Sequence, residues 1–314
     1  MLADGLVSLS RLMLGTAQLG LSYGIANRTG QPSYETARDI LKCAYDGGVN
    51  CFDTAATYGV SEEVLGKALS DLGIADKVVV VSKITHMADE LSSPEAAHSI
   101  IEDSVMESLR RLKLDVLPVC LFHVEDNFRY VESLLRLRRK GLVRYIGSST
   151  ATPDGASAIV ASGLAEAVQI PTSVLDQRFI RSGVCDDARK RGVAAFARSI
   201  YLQGVLLMPE ADIIPELSAV IPVRRNLQRL ADEAGLSIAE LAVRYVLSID
   251  GVTCAVVGVE TVEQMRENTR LFAKGPLDRA LVQAIADSVP ELPESVLNPR
   301  KWSKRVPDAK LEKR

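Results

Sequence analysis

Apolar and polar positions along the chain fall into one short phrase that repeats. A helical stretch with apolar residues three or four apart runs to a glycine, and a short run of β-branched and small apolar residues follows. These runs are VNCFDT after Gly48, LVRYIGSS after Gly141, LAEAVQIP after Gly163, VAAFARS after Gly192 and VTCAVVG after Gly251. A glycine there supplies the left-handed residue that ends a helix, and a run without polar alternation reads as a strand covered on both faces. Further runs of this kind at 11–16, 77–83 and 117–123 bring the predicted strands to eight.

Between the strands the spacing predicts helices over 34–46, 61–71, 94–112, 129–139, 153–162, 183–191, 237–248 and 261–273, with Ser33, Ser61, Ser237 and Thr261 as their starting residues. Two more helical pieces, 223–233 and 277–288, stand outside the alternation. Eight strands alternating with eight helices in 314 residues predict an α/β fold, a (β/α)8 TIM barrel with two additional helices, occupying the whole chain as one domain. A doubly wound open sheet is the rival, but the GxGxxG expected at its first turn is missing.

Composition narrows the class of partner. The chain is 47% hydrophobic and 25% charged with a formal net charge of -3, which fits a soluble globular protein and gives no reason to expect a nucleic acid. From about 290 a basic tail is expected on the surface. No apolar run reaches membrane-spanning length, and the opening residues lack the basic flank and cleavage site of a signal peptide, so a cytoplasmic location is expected. Five cysteines without a CxxC pair argue against a disulfide framework or a zinc site and predict buried, reduced thiols.

The candidate chemistry lies at strand ends. Asp53 closes the second predicted strand, Lys83 the third and His123 the fourth, while Tyr58 follows Asp53 in the turn TAATYG. Alone, each has an ordinary reading: a capping acid, a snorkelling lysine, a satisfied rim histidine. On three successive strands of a barrel they share one rim, and the C-terminal rim is where such folds carry their chemistry. A tyrosine is a weak acid near neutrality, and an ammonium beside it is expected to lower its pKa. Asp53 would hold Lys83 charged, and His123 would orient a carbonyl that Tyr58 protonates, leaving a hydride to come from elsewhere. His86 and His98 lack such placement and are expected at the surface.

The segments FDTAATYGVSEEVLG, VVVSK, DVLPVCLFH, GLVRYIGSS, AVQIP and VVGVETVEQMREN resemble, in this order, the aldo-keto reductases. The resemblance implies a barrel with two added helices and an NAD(P)H-dependent reduction of an aldehyde or ketone. It makes Tyr58 the general acid, Lys83 and Asp53 its tuning pair and His123 the carbonyl-orienting group. It further implies cofactor contacts from Gly15, Thr16, Ser149, Gln169, Ser199, Leu202, Gly204, Gln264, Glu267 and Asn268. The partner would be a small-molecule carbonyl compound, sugar-like or small and polar. NADP is the expected cofactor, with NAD possible because Gln264 stands where many relatives have arginine and Glu260 lies nearby; Arg266 and Arg270 are the available cations. The loop LSYGIANRTGQPS is expected over the rim, and Trp302 as a surface anchor. Two rival functions are a class I aldolase-like lyase with Lys83 as Schiff base and a cofactor-binding redox-sensing subunit. The sequence leaves the oligomeric state open.

Overall fold

The structure is a computed structural model that describes residues 8–87 and 93–303. Eight parallel strands close into a barrel in sequence order: β1 (Leu12–Gly15), β2 (Cys51–Asp53), β3 (Val79–Lys83), β4 (Leu117–Phe122), β5 (Val143–Ser149), β6 (Ala167–Pro171), β7 (Ala194–Arg198) and β8 (Val252–Gly258). The ring closes where β1 meets β8, with Met13 opposite Val256 and Gly15 opposite Gly258. The eight expected helices surround it, and the two extra pieces are the helices Val220–Glu233 and Arg279–Ser288, packed on each other.

The two-residue period of a strand sorts its side chains into two cores. Leu14, Phe52, Val80, Cys120, Ile146 and Val168 point outward and join the apolar layer between barrel and helices. Met13, Cys51, Val81, Leu121, Tyr145, Ala167, Phe196 and Cys254 point inward and fill the barrel as a separate cluster. The same parity continues beyond this plug, so Gly15, Asp53, Lys83, His123, Ser149, Gln169 and Arg198 all face the C-terminal mouth.

Helix starts follow the expected chemistry with one exception. Ser33, Ser237 and Thr261 each accept a backbone N–H from three residues on. Ser61 does not cap; it is the first residue of Ser61–Leu72, and its hydroxyl is drawn inward to donate to the Thr16 carbonyl at 2.8 Å. The helix expected from 129 begins at Val131, because Glu125–Tyr130 forms a 3-10 turn. The five glycines that end helical phrases all take left-handed φ values, from +70° to +91°. Among the described residues no helix is long and apolar enough to cross a membrane, and the five cysteines are free, four of them buried.

The tail folds back on the body. Trp302 packs partly buried against the apolar layer and donates from Nε1 to the Val296 carbonyl, while Ser303 bonds Glu216. The end of the expected basic tail, 304–314, lies outside the described residues.

The turn that presents Tyr58 depends on two glycines. The short helix Ala17–Gly20 lies so close to it that a Cβ on Gly20 would stand 2.0 Å from the Tyr58 carbonyl oxygen and 2.4 Å from the Ser61 nitrogen. In return, a Cβ on Gly59 would stand 2.3 Å from the Gly20 carbonyl oxygen. Gly20→Ala therefore forces backbone apart, at a cost of about 1–3 kcal/mol typical of overpacking. A lowered thermal unfolding midpoint is expected, and an unchanged one would show that the contact yields freely.

Candidate active site

The mouth of the barrel holds a buried ion pair. Lys83 Nζ lies 2.7 Å from Asp53 Oδ1 and donates also to the Thr54 carbonyl at 2.8 Å. Gln169 Nε2, from the far side of the barrel, donates to the same Asp53 oxygen at 2.7 Å. Lys83 is 1% exposed. Burial pulls its pKa down, and the Asp53 charge opposes that pull. An ammonium without this partner would cost several kcal/mol to bury, so β2, β3 and β6 are tied together by one carboxylate.

Tyr58 and His123 stand above the pair. The Lys83 ammonium is 5.0 Å from the centre of the Tyr58 ring, and the Tyr58 and His123 rings meet edge to face at 5.6 Å. His123 Nδ1 is 3.1 Å from the Thr57 hydroxyl, and the His86 ring stacks on its face at 4.6 Å. Burial pushes the His123 pKa down to about 2, helped by the Lys83 charge, so the imidazole is neutral. Tyr58 departs from the expectation that Lys83 lowers its pKa: burial, and then the Asp53 carboxylate, raise it. Burial outweighs the nearby positive charges, and the phenol keeps its proton. A protonated phenol and a neutral imidazole side by side can donate to one oxygen atom.

A trench of about 1270 Å³ runs across this mouth, larger than the roughly 300–1,000 Å³ of a common small-molecule site. Of the residues expected to hold a cofactor, Gly15, Ser149, Gln169, Ser199, Gly204, Gln264, Glu267 and Asn268 line it. Thr16 and Leu202 are buried instead. The Thr16 hydroxyl donates to the Asp53 carbonyl at 2.9 Å and meets Ser61 Oγ at 2.7 Å, so it locks the turn and does not face the trench. Ser199, Leu202 and Gln203 hold left-handed backbone, with φ of 64°, 48° and 52°, so the 199–204 loop carries backbone strain where it borders the trench. The 21–33 loop lies over the rim as expected: Ala26 N–H bonds the Gln203 carbonyl, and Arg28 pairs with Asp212 at 2.8 Å. Among the described residues no cluster could hold a metal ion.

Some residues of the site were not anticipated. His86 is exposed, as expected, yet it forms the wall behind His123; His98 sits on Pro94–Leu112 beside Glu102 at 3.5 Å. Arg198 faces the trench from β7, a position that strand parity with Phe196 would have revealed. Arg300 reaches it from the tail.

Comparison with known proteins identifies the family. The model of the aldo/keto reductase family matches residues 11–289. The chain belongs to that family. It is 26% identical over 274 residues to the uncharacterized oxidoreductase YqkF of Bacillus subtilis, spanning 81% of this chain and 88% of that protein. It is also 26% identical to the L-glyceraldehyde 3-phosphate reductase of Escherichia coli, over 83% of this chain and 85% of the relative. A probable voltage-gated potassium channel subunit beta of Arabidopsis thaliana is 24% identical, with 91% and 97% covered. In fold, the chain resembles the holo form of the aldo-keto reductase AKR11C1 from Bacillus halodurans, with a TM-score of 0.77 at 22% identity and coverage of 93% and 96%. Family membership makes this protein an oxidoreductase on a (β/α)8 barrel.

The neutral His123 has a thermodynamic consequence. Its folded pKa of about 2 lies below the roughly 6.5 of an unfolded histidine. Between those values the unfolded chain binds a proton that the folded site refuses, so stability falls as pH drops below about 6.5. The unfolding midpoint of this aldo/keto reductase should decline from pH 7 to pH 5, and less steeply in His123→Gln. Parallel declines would assign the acid sensitivity to other groups.

Proposed function

We propose that the chain is an NAD(P)H-dependent reductase of an aldehyde or ketone, with Tyr58 as the proton donor. The observation that carries this reading is a proton-bearing phenol and a neutral imidazole facing one trench above the buried Lys83–Asp53 pair. The trench is large enough for a dinucleotide, and Gly15, Ser149, Gln169, Ser199, Gly204, Gln264 and Asn268, which line it, would contact one bound along it. A bound nicotinamide would supply the hydride to the carbonyl carbon. Tyr58 gives its proton to the carbonyl oxygen, and His123 hydrogen-bonds that oxygen and fixes its position. Lys83 and Asp53 keep the local charge balanced and hold the strand ends in register.

The reductase named among the relatives acts on an aldehyde, which supports this direction of reading. A Schiff base on Lys83 would need a free amine facing the substrate. Its nitrogen instead sits 2.7 Å from Asp53 and 2.8 Å from the Thr54 carbonyl, and Lys83 is not part of the trench wall. A donor phenol poised in this way favours turnover over a cofactor-binding sensing role.

Replacing Tyr58 by Phe removes the proton and little else, so carbonyl reduction should fall by about 10²- to 10⁴-fold. Cofactor affinity should stay within a few-fold. Followed by nicotinamide absorbance under chemistry-limited conditions, a variant keeping half of wild-type turnover would remove Tyr58 from this role.

Charges at the far end of the trench bear on cofactor choice. The sequence expectation is NADP, with NAD possible, and Arg266 and Arg270 as the available cations near its extra phosphate. In the structure Glu260, Glu263 and Glu267 line the trench there, whereas the two arginines do not. Arg266 pairs with Glu263 at 3.7 Å and Arg270 with Glu267 at 2.6 Å. A 2'-phosphate would meet carboxylates before any free cation, whereas a ribose hydroxyl can donate to them. This reading places NADH ahead, with kcat/KM for NADH at least tenfold above NADPH, equivalent to about 1.4 kcal/mol. Glu260→Lys should shift the ratio toward NADPH. A tenfold preference of the wild type for NADPH would restore the sequence expectation.

A further inference from the structure

The charges lining the trench nearly all come in neutral pairs. Lys83 is matched by Asp53, Arg28 by Asp212, Glu263 by Arg266 and Glu267 by Arg270. Among the described residues that line it, the charged groups without an ion pair are Glu260, at the end formed by Val262–Ala273, and two arginines at the other end, Arg198 and Arg300.

Arg198 is the inward-facing residue that follows Phe196 on β7. Its Nη2 donates to the Thr150 carbonyl at 2.9 Å and its Nη1 to Ser199 Oγ at 3.3 Å, which fixes the guanidinium without neutralising it. Arg300 stands in the turn Pro299–Lys301, whose start is held by Asn298 Oδ1 accepting from the Arg300 N–H at 3.1 Å. Both charges act on Tyr58 and on His123, so both lie at the end where the carbonyl is reduced. Arg198 is half-buried with a fixed guanidinium, Arg300 is exposed at the rim, and neither has a carboxylate in an ion pair, so an anionic ligand group would meet two unmatched positive charges. An arginine fork matches a carboxylate or phosphate in two parallel hydrogen bonds.

We propose that Arg198 and Arg300 form an anion-recognition site for the substrate, and that this reductase takes carbonyl compounds carrying a carboxylate or a phosphate a few bonds from the reacting carbon. The proposal rests on the carbonyl-reductase reading of the same trench and specifies the substrate class within it. Arg198 would hold the anion from β7, and Arg300 would close over it from the tail. The carbonyl then remains between Tyr58 and His123. A neutral analogue would leave both cations unmatched and bind more weakly.

The test compares matched pairs: glyceraldehyde 3-phosphate against glyceraldehyde, and 4-carboxybenzaldehyde against its methyl ester. Dissociation constants come from calorimetry on the protein loaded with oxidised nicotinamide cofactor, and kcat/KM from the reduction assay. The wild type should favour the charged member of at least one pair by roughly tenfold or more, the size of one hydrogen bond to a charged group. The pair with the larger ratio identifies the anion. Arg198→Gln and Arg300→Gln should each shrink that ratio several-fold, and Arg198→Lys, which keeps the charge, should retain part of it. Equal affinity for charged and neutral members in the wild type overturns the proposal. So does a ratio untouched by either glutamine variant, or a variant that weakens cofactor and both ligands by the same factor. Failure to oxidise the reduced cofactor with any of the four compounds counts against the reductase reading alone, because the calorimetric ratio still decides the anion site.

Discussion

The structure depends on one carboxylate. Asp53 accepts from Lys83 of β3 and from Gln169 of β6, while its backbone carbonyl receives the Thr16 N–H and hydroxyl at the end of β1. Four of eight strands thus converge on a single residue at the mouth of the barrel. Buried ion pairs are weak sources of stability because desolvation offsets most of the Coulomb gain. Removing one partner is nonetheless severe, since it strands the other charge in an apolar plug of Phe196, Leu121 and Tyr145. The pair specifies which side chains may occupy the mouth more than it strengthens the fold.

That neutralisation shapes the chemistry above it. Had the Lys83 charge acted freely on Tyr58, the phenol would lose its proton more readily and spend more of its time as an anion. With Asp53 beside the ammonium, burial dominates and the phenol holds its proton. An acid with a raised pKa is a poorer spontaneous donor, but it is fully loaded at neutral pH, and a developing alkoxide is basic enough to take its proton. His123 is held neutral by the same surroundings, and adding a positive charge there would oppose both Lys83 and Arg198. The site therefore offers two uncharged donors over a neutral ion pair, and the net positive charge that remains comes from the arginines.

Much of this was legible in the sequence because strands and helices write different periods. Uninterrupted apolar runs, five of them after glycines and three filling the gaps between, match the eight strands to within a few residues, and a polar residue ending such a run is conspicuous, which exposed Asp53, Lys83 and His123. Arg198 was equally placed, two positions beyond Phe196, but the motif RSIYLQG drew attention to its serine, leucine and glycine. His86 follows β3 in an irregular stretch where no period applies, so only the fold could set it on the face of His123. Thr16 and Ser61 look like surface caps in one dimension. Their hydroxyls bond each other across 45 residues of sequence, a contact that local pattern cannot encode. The direction of the Tyr58 pKa shift has a related cause: it depends first on how deeply the fold buries the phenol, which local sequence does not encode.

The remaining feature is segregation of charge along one trench. Among the described residues that line it, the charges without an ion pair are Glu260 at the end built by Val262–Ala273 and Arg198 and Arg300 at the end built by β7 and the tail, and in the proposed reading the carbonyl lies on the arginine side. A ligand pair that filled the trench with its negative charge at the acidic end would be repelled, and one with negative charge at the basic end attracted. Specificity is a difference of affinities, and here both signs of interaction are built in. Several of the trench charges are solvent-exposed, so the effect should weaken as ionic strength rises. In the proposed reading, the field of the site would favour one orientation of the ligands in the trench.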